Sequence, residues 1–285
     1  GQIPAPTAEY VFSVPSGVTN SAQVWLVAVD IYGNEGEDVS DFFSVTDNTP
    51  PQVTVNEVSD AGTQDSLYIS WDASDNTGIA SNVLYFSSNN GDTYILIDSV
   101  NVEMNMSQTR AATFPINSAN TRNHRNISAP VLSRSTSTGQ SRTESRTTYN
   151  YTWVAPDLVS DQCKIKVVSY DLVSLSTENE SEVFSIFDGV DPVVEVTSPL
   201  SGYSIPEYEE ATVSWNATDN IELDSIRIFF SNDGGNEFTL VGQVSAPINE
   251  YVFSIPLGVT DNAQIRLVAL DIYGNEGEAL SDYFS

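Results

Sequence analysis

Apolar and polar positions alternate with period two through most of this chain. In 263–271, Ala263, Ile265, Leu267 and Ala269 fall on one side, while Gln264, Arg266 and Val268 fall on the other. Successive side chains of a strand point to opposite faces, so this alternation predicts a strand with one face on a core. The stretches ATVSWNATDN (211–220) and SIRIFFSNDGG (225–235) behave similarly. SNDGG and its counterpart SNNGD (88–92) carry turn chemistry, because Gly, Asn and Asp accept the backbone angles that tight turns need. No segment shows a helical apolar stripe of useful length. Short strands at regular spacing, punctuated by Gly, Pro, Asn and Asp, predict an antiparallel β-sandwich.

The pattern also repeats. DIYGNEGE occurs at 30–37 and again at 271–278, and the flanks extend the match: 26 of 36 positions are identical between Glu9–Ser44 and Glu250–Ser285. A weaker copy, YNYTWVAPDLVSDQCKIKVVSYDLVSLSTENESEVFS (149–185), aligns with the last at an offset of 100, placing Trp153 on Phe253 and Asp171 on Asp271. Upstream, Trp71 falls on Trp215, Asp75 on Asp219 and Gly91 on Gly235 at an offset of 144. Such periodicity is the signature of a repeat array. The change of offset predicts 44 extra residues in the middle unit, around 101–148. Three units follow: a partial sandwich at 1–46, a sandwich with an insert at 47–188, and a sandwich at 189–285.

The string VSWNATDN…IRIFFSNDGG…YVFSIP…AQIRLVALDIYGNEGE…S resembles the immunoglobulin-like or fibronectin type III-like tandem repeats of large secreted and cell-surface proteins of bacteria. The resemblance spans the chain outside the insert and implies an all-β fold of tandem sandwiches. It also implies seven strands per unit. The first lies near Val53–Val55 or Val193–Val196. The second ends at Trp71 or Trp215, and the third and fourth flank the SNNGD or SNDGG turn. YTWVAP or YVFSIP is the fifth, QIRLVAL the type of the sixth, and the seventh ends in FFS, VFS or YFS. The inter-sheet disulfide of antibody domains is absent, since Cys163 is the single cysteine. The aromatic expected before the sixth strand is replaced by Ala22, Ala263 and Cys163, so the resemblance extends to the sandwich and not to one subfamily. By the same alignment the first unit lacks its first three strands. It is then either part of a longer array or completed by another chain.

Charge narrows the class of partner. The net charge is −29, with only two lysines. Phosphate backbones would be repelled, so nucleic acid is excluded as the expected partner. No apolar run reaches the roughly 18–20 residues of a membrane span. The acidity suits a salty or calcium-rich exterior, and the expected location is extracellular or at a cell surface. Cys163 lies on the apolar phase of its strand and reads as a small core residue.

The insert differs from its surroundings. Between 101 and 148 lie six of the ten basic residues, Arg110, Arg122, Arg125, Arg134, Arg142 and Arg146, with the single histidine, His124. That segment carries +4 and the remainder −33. Alternation at Val100, Val102, Met104 and Met106 predicts an extension of the fourth strand, and SRTESRTTYNYTW an extension of the fifth. Three readings stand: an inserted β-arm touching neighbouring repeats or other copies of the chain, a polar loop, and a receptor for an external polyanion. Trp25, on the outward phase of the sixth strand, either packs across the outer sheet face or stacks on a partner such as a surface glycan.

Catalytic motifs are lacking. His124 has no nucleophile motif around it, and no phosphate loop or zinc spacing appears, so the expectation is a non-enzyme. Calcium is the stronger site hypothesis, because it takes six to eight oxygen ligands. In such a sandwich the loops after the second and sixth strands meet the incoming linker at one pole. The third unit would gather Asp188, Asp191, Asp219, Asn220, Asp271, Asn275 and Glu276. The second would gather a thinner set, Asp47, Asp75, Asn76 and Asp171, and the first keeps only Asp30, Asn34 and Glu35. The competing reading is that these residues simply make turns. The leading functional expectation is an extracellular structural array forming a filament, stalk or adhesin shaft. The alternative is a set of accessory carbohydrate- or surface-binding repeats of a large secreted enzyme.

Overall fold

The structure is a computed structural model that describes residues 2–4, 6–15, 17–102, 146–258 and 260–285. It holds strands and turns and no helix among those residues.

The third unit shows the architecture in its plainest form. Strands β14 (Val193–Ser198), β15 (Glu210–Thr218) and β18 (Glu250–Ser254) form one sheet in the order β14-β15-β18. Strands β16 (Leu223–Ser231), β17 (Thr239–Ser245), β19 (Gln264–Asp271) and β20 (Glu276–Leu280) form the other in the order β17-β16-β19-β20. Alternate residues of the two sheets meet in a core of Val213, Trp215, Ile226, Ile228, Phe253, Ile265, Leu267 and Phe284. Arg266 faces outward and lies over the rings of Phe229 and Phe238, 4.7 and 4.9 Å from their centroids, an attraction of the ring face for a cation.

The second unit repeats the plan. β5 (Gln52–Val55), β7 (Ser66–Ser74) and β10 (Thr147–Val154) form the sheet β10-β7-β5. The opposing sheet is β6-β13-β11-β8-β9, built from β6 (Ala61–Gly62), β8 (Ile79–Ser87), β9 (Ile95–Asn101), β11 (Ser160–Asp171) and β13 (Phe184–Phe187); β12 (Ser176–Glu180) also pairs with β11. Its core is separate and gathers Ile69, Trp71, Leu84, Phe86, Cys163, Ile165 and Ile186, with Tyr149 stacked on Trp71 at 5.8 Å. The insert leaves β9 and returns to β10, between the fourth and fifth strands of the unit. Most of it, with Met104, Met106, His124, Arg110, Arg122, Arg125, Arg134 and Arg142, lies outside the described residues.

In the first unit, β2 (Trp25–Val29) pairs with β3 (Glu35–Val39), and β1 (Thr19–Ala22) with β4 (Phe43–Val45). The registers match those of the third unit, where Ala263 opposite Phe284 mirrors Ala22 opposite Phe43. Exposure does not match. Val24 and Phe43 are each 40% exposed, whereas their counterparts Ile265 and Phe284 are 0% and 3% exposed. In the third unit the sheet β14-β15-β18 covers this face and β16 pairs with the edge of β19, and the described residues of 2–46 form no strand in either place.

A serine marks the break in the last strand of every unit. Ser281 Oγ accepts the Ile265 amide at 2.9 Å and donates to the Asp282 carbonyl at 2.7 Å. Ser181 does the same with Ile165 and Glu182, and Ser40 with Val24 and Asp41. The hydroxyl satisfies a backbone amide where the ladder is interrupted. Ser281→Ala strands the amide of a residue that is wholly buried. The expected loss is about 1–3 kcal/mol, read as a lower denaturation midpoint for the third unit.

Cys163 is buried in the core of the second unit, its thiol directed at the Ser160 carbonyl. Burial pushes the thiol pKa up, so the thiolate is scarce. The folded protein is therefore expected to resist iodoacetamide at neutral pH and to be alkylated fully once urea unfolds it.

Candidate metal centres at the two junctions

Three pieces of backbone meet at the leading pole of each complete sandwich. In the second unit they are the linker after β4, the end of β7 and the end of β11. They bring one carboxylate oxygen each of Asp47, Asp75 and Asp171 within 4.8 Å of one another. In the third unit the linker after β13, the end of β15 and the end of β19 do the same with Asp188, Asp219 and Asp271.

Turn chemistry accounts for half of these atoms. Asp75 Oδ1 accepts the amides of Thr77 and Gly78 at 2.7 and 3.0 Å and the Thr77 hydroxyl at 2.7 Å. Asp171 Oδ1 accepts the amides of Val173 and Leu175, both at 2.8 Å. Asp219 Oδ2 accepts the Ile221 amide at 2.9 Å. Asp188 Oδ1 accepts the Thr63 hydroxyl at 3.0 Å and the Val190 amide at 3.3 Å. The other oxygen of each of these four aspartates is buried and has no hydrogen-bond partner. Asp171 and Asp188, only 2% and 8% exposed, are the most enclosed of the four.

The neighbouring asparagines follow the same rule. Asn76 Nδ2 donates to Asp47 Oδ1 at 3.0 Å, and Asn220 Nδ2 donates to Thr63 Oγ1 and Asp157 Oδ1, both at 3.1 Å. Each leaves its own buried Oδ1 unpartnered. Each junction thus holds three unpartnered side-chain oxygens: Asp75 Oδ2, Asn76 Oδ1 and Asp171 Oδ2 at one, and Asp188 Oδ2, Asp219 Oδ1 and Asn220 Oδ1 at the other.

Charge is uncompensated at both places. The ion pairs among the described residues are Arg146–Asp72, Lys164–Glu180, Lys166–Glu178 and Arg227–Glu276, and none includes a clustered aspartate. Unit charges at this separation repel by about 3–4 kcal/mol per pair at an effective dielectric near 20. The hydrogen bonds nonetheless favour ionisation at two positions. Donation from the Asn76 side chain and the Thr49 amide holds Asp47 below the ordinary carboxylate value. Burial pushes Asp271 up, but hydrogen bonds from the side chain and amide of Asn275 and from the amides of Tyr273 and Gly274 outweigh it and hold its pKa below the ordinary value.

The ligand sets read from sequence are regrouped by the structure. Asp188, Asp219 and Asp271 come together, as do Asp47, Asp75 and Asp171; Asn76 joins the first group through Asp47, and Asn220 the second through Thr63, which also bonds Asp188. Asp191 is exposed and outside the cluster. Asn275 turns its amide nitrogen to Asp271 Oδ2 at 2.7 Å, acting as a donor. Glu276 is on β20 and pairs with Arg227 at 3.2 Å. The second unit's set is therefore no thinner than the third's. In the first unit Asn34 holds Asp30 in the same donor arrangement, fully exposed. No sequence pattern marks Thr77 or Thr63, yet both hold cluster aspartates. Thr77 ties Asp75 to Asp47, its hydroxyl 2.8 Å from Asp47 Oδ2. Thr63 and Asp157 reach the third unit's cluster from the trailing pole of the second, a contact that exists only once two sandwiches are packed.

Of the basic residues in the insert, Arg146 is the described one, and it pairs with Asp72 on β7 at 3.3 Å. Trp25 is 57% exposed and donates its indole N–H to Glu37 on the adjacent strand at 3.2 Å. Its counterpart Lys166 lies 4.1 Å from the Tyr94 ring centroid, between Tyr85 and Tyr94.

The chain matches no family model and no curated protein sequence. Similar solved structures include the fibronectin(III)-like modules of Clostridium thermocellum CbhA, at 16% identity over 82% of this chain and 93% of that one, with a TM-score of 0.30. DIP-gamma IG1+IG2 is 11% identical over 82% and 96% of the two chains, with a TM-score of 0.31. The tandem Ig repeats of Dlar are 9% identical over 83% and 98%, with a TM-score of 0.21. The strand order of the second and third units is itself that of a two-sheet, immunoglobulin-like or fibronectin III-like sandwich. No helix among the described residues is long and apolar enough to cross a membrane.

Proposed function

We propose that this chain is a length of a non-enzymatic, extracellular structural array: tandem sandwiches that serve as a filament, stalk or adhesin shaft. One observation carries the reading: the two junctions are built alike. In each, an aspartate of the linker is drawn into the pole of the following sandwich beside the loops after its second and sixth strands. Asn220 extends this contact back to Thr63 and Asp157 of the preceding unit. Residues repeated at every boundary and spent on fixing the linker suit a protein whose product is a length and a direction. The segment's +4 against the remainder's −33 adds attraction between neighbouring chains, a contact weakened by salt.

Electron microscopy of the native material tests the reading. Shafts or fibres of uniform width are expected. Discrete globular particles, or turnover of a substrate by the purified chain, would sink it. The denatured mass of the native polypeptide then separates two forms of the array. A mass near 31 kDa marks separate chains joined by strand addition at the exposed face of the first unit. A mass several times larger marks a covalent stalk.

A further inference from the structure

We propose that each junction binds one Ca²⁺. The sites stand on their own geometry, and only the mechanical consequence drawn below rests on the array reading.

The donors are carboxylate and amide oxygens, with no nitrogen or sulfur ligand in either cluster. That composition selects a hard cation over zinc or copper. Two oxygens held 2.3–2.6 Å from one Ca²⁺ lie at most about 4.6–5.2 Å apart, and the clustered carboxylate oxygens lie within 4.8 Å. The ligands come from three separate loops, which suits the variable coordination of Ca²⁺ better than the strict octahedron of Mg²⁺. At the first junction the ligands are Asp47, Asp75 Oδ2, Asn76 Oδ1 and Asp171 Oδ2. At the second they are Asp188 Oδ2, Asp219 Oδ1, Asn220 Oδ1 and Asp271.

The unpartnered oxygens separate this from turn-making. An aspartate that only closes a turn needs one oxygen, and the second costs free energy if it is buried without a partner. Here that cost recurs at the second oxygen of four aspartates and at the amide oxygens of Asn76 and Asn220, three atoms at each junction. A divalent cation satisfies them together and removes most of the repulsion among the three carboxylates. Because Asp47 and Asp188 belong to linkers, the ion joins each linker to the sandwich that follows and sets the angle between units.

Isothermal titration of the chelator-treated chain with Ca²⁺ tests the sites. Two bound ions per chain are expected, with Mg²⁺ weaker by at least tenfold. Asp171→Asn and Asp219→Asn keep the oxygen that accepts the turn amides and remove the charge, so each variant is expected to fold and to bind one ion. The double variant is expected to bind none. Circular dichroism checks folding, and Asp75→Asn or Asp188→Asn replaces a variant that fails. No heat at millimolar Ca²⁺, or two ions retained by both single variants, overturns the proposal. Small-angle scattering with and without Ca²⁺ separates the two readings. A longer, stiffer particle with the ion supports both, whereas two bound ions and an unchanged profile leave the sites standing and remove the array's mechanical argument.

Discussion

Replacing Trp215 with alanine is expected to destabilise the third unit by about 3–5 kcal/mol, the range for truncating a large buried aromatic. Trp215 is among the largest fully enclosed side chains of its unit, placed at the centre of the face that β15 presents to β16 and β19. A sandwich of this size has a total stability of roughly 5–15 kcal/mol, so the loss removes a large share of it. At about 4–8 °C per kcal/mol for a small domain, the third unit's transition moves down by tens of degrees. The second unit has its own core, centred on Trp71, so its transition is expected to stay. Calorimetry of the variant would show one peak displaced and one retained. A single peak moving as a whole would mean that the units melt together and that the junction, rather than the core, is the cooperative element.

Gly277→Ala is expected to destabilise the third unit although the residue lies on the edge strand β20. A Cβ at this position would collide with the Pro192 carbonyl oxygen, so backbone must move. The cost of such overpacking is about 1–3 kcal/mol and occasionally more. Displacing Pro192 also disturbs the linker that carries Asp188, so the variant is expected to bind Ca²⁺ more weakly at the second junction with every ligand still present. The chain contains its own control. Gly36 occupies the matching place in the first unit, and a Cβ there meets nothing within 4 Å. Gly36→Ala is expected to be silent in the same melting experiment. Equal effects from the two substitutions would refute the contact as the cause.

Much of the fold is visible in the residues themselves, because a sandwich writes its inward face as every second side chain. Ile265, Leu267 and Ala269 alternate in sequence and are buried in space. The repeat adds the unit boundaries, and strand direction adds which loops share a pole, so Asp75 can be placed beside Asp171 without coordinates. What escapes is set by side-chain direction and by packing between units. Asn275 has the right residue type for a ligand, yet its amide turns back to close its own turn. Glu276 starts a strand and faces Arg227 across the sheet. Thr63 and Asp157 sit at the far end of another sandwich, so no local pattern announces their role. The opposite exposure of Val24 and Ile265, nearly identical residues in nearly identical segments, is the clearest case. Burial there is decided by strands far away in the chain.

Each cluster takes its oxygens from one linker and from the two loops of the sandwich that follows it. A linker together with its sandwich is therefore the smallest piece that carries a whole cluster. Duplication or deletion of such a piece changes the number of joints by whole clusters, and only the contacts made by Thr63 and Asp157 depend on which sandwich comes before. A break inside the sandwich divides the oxygens between two products and spoils one of them.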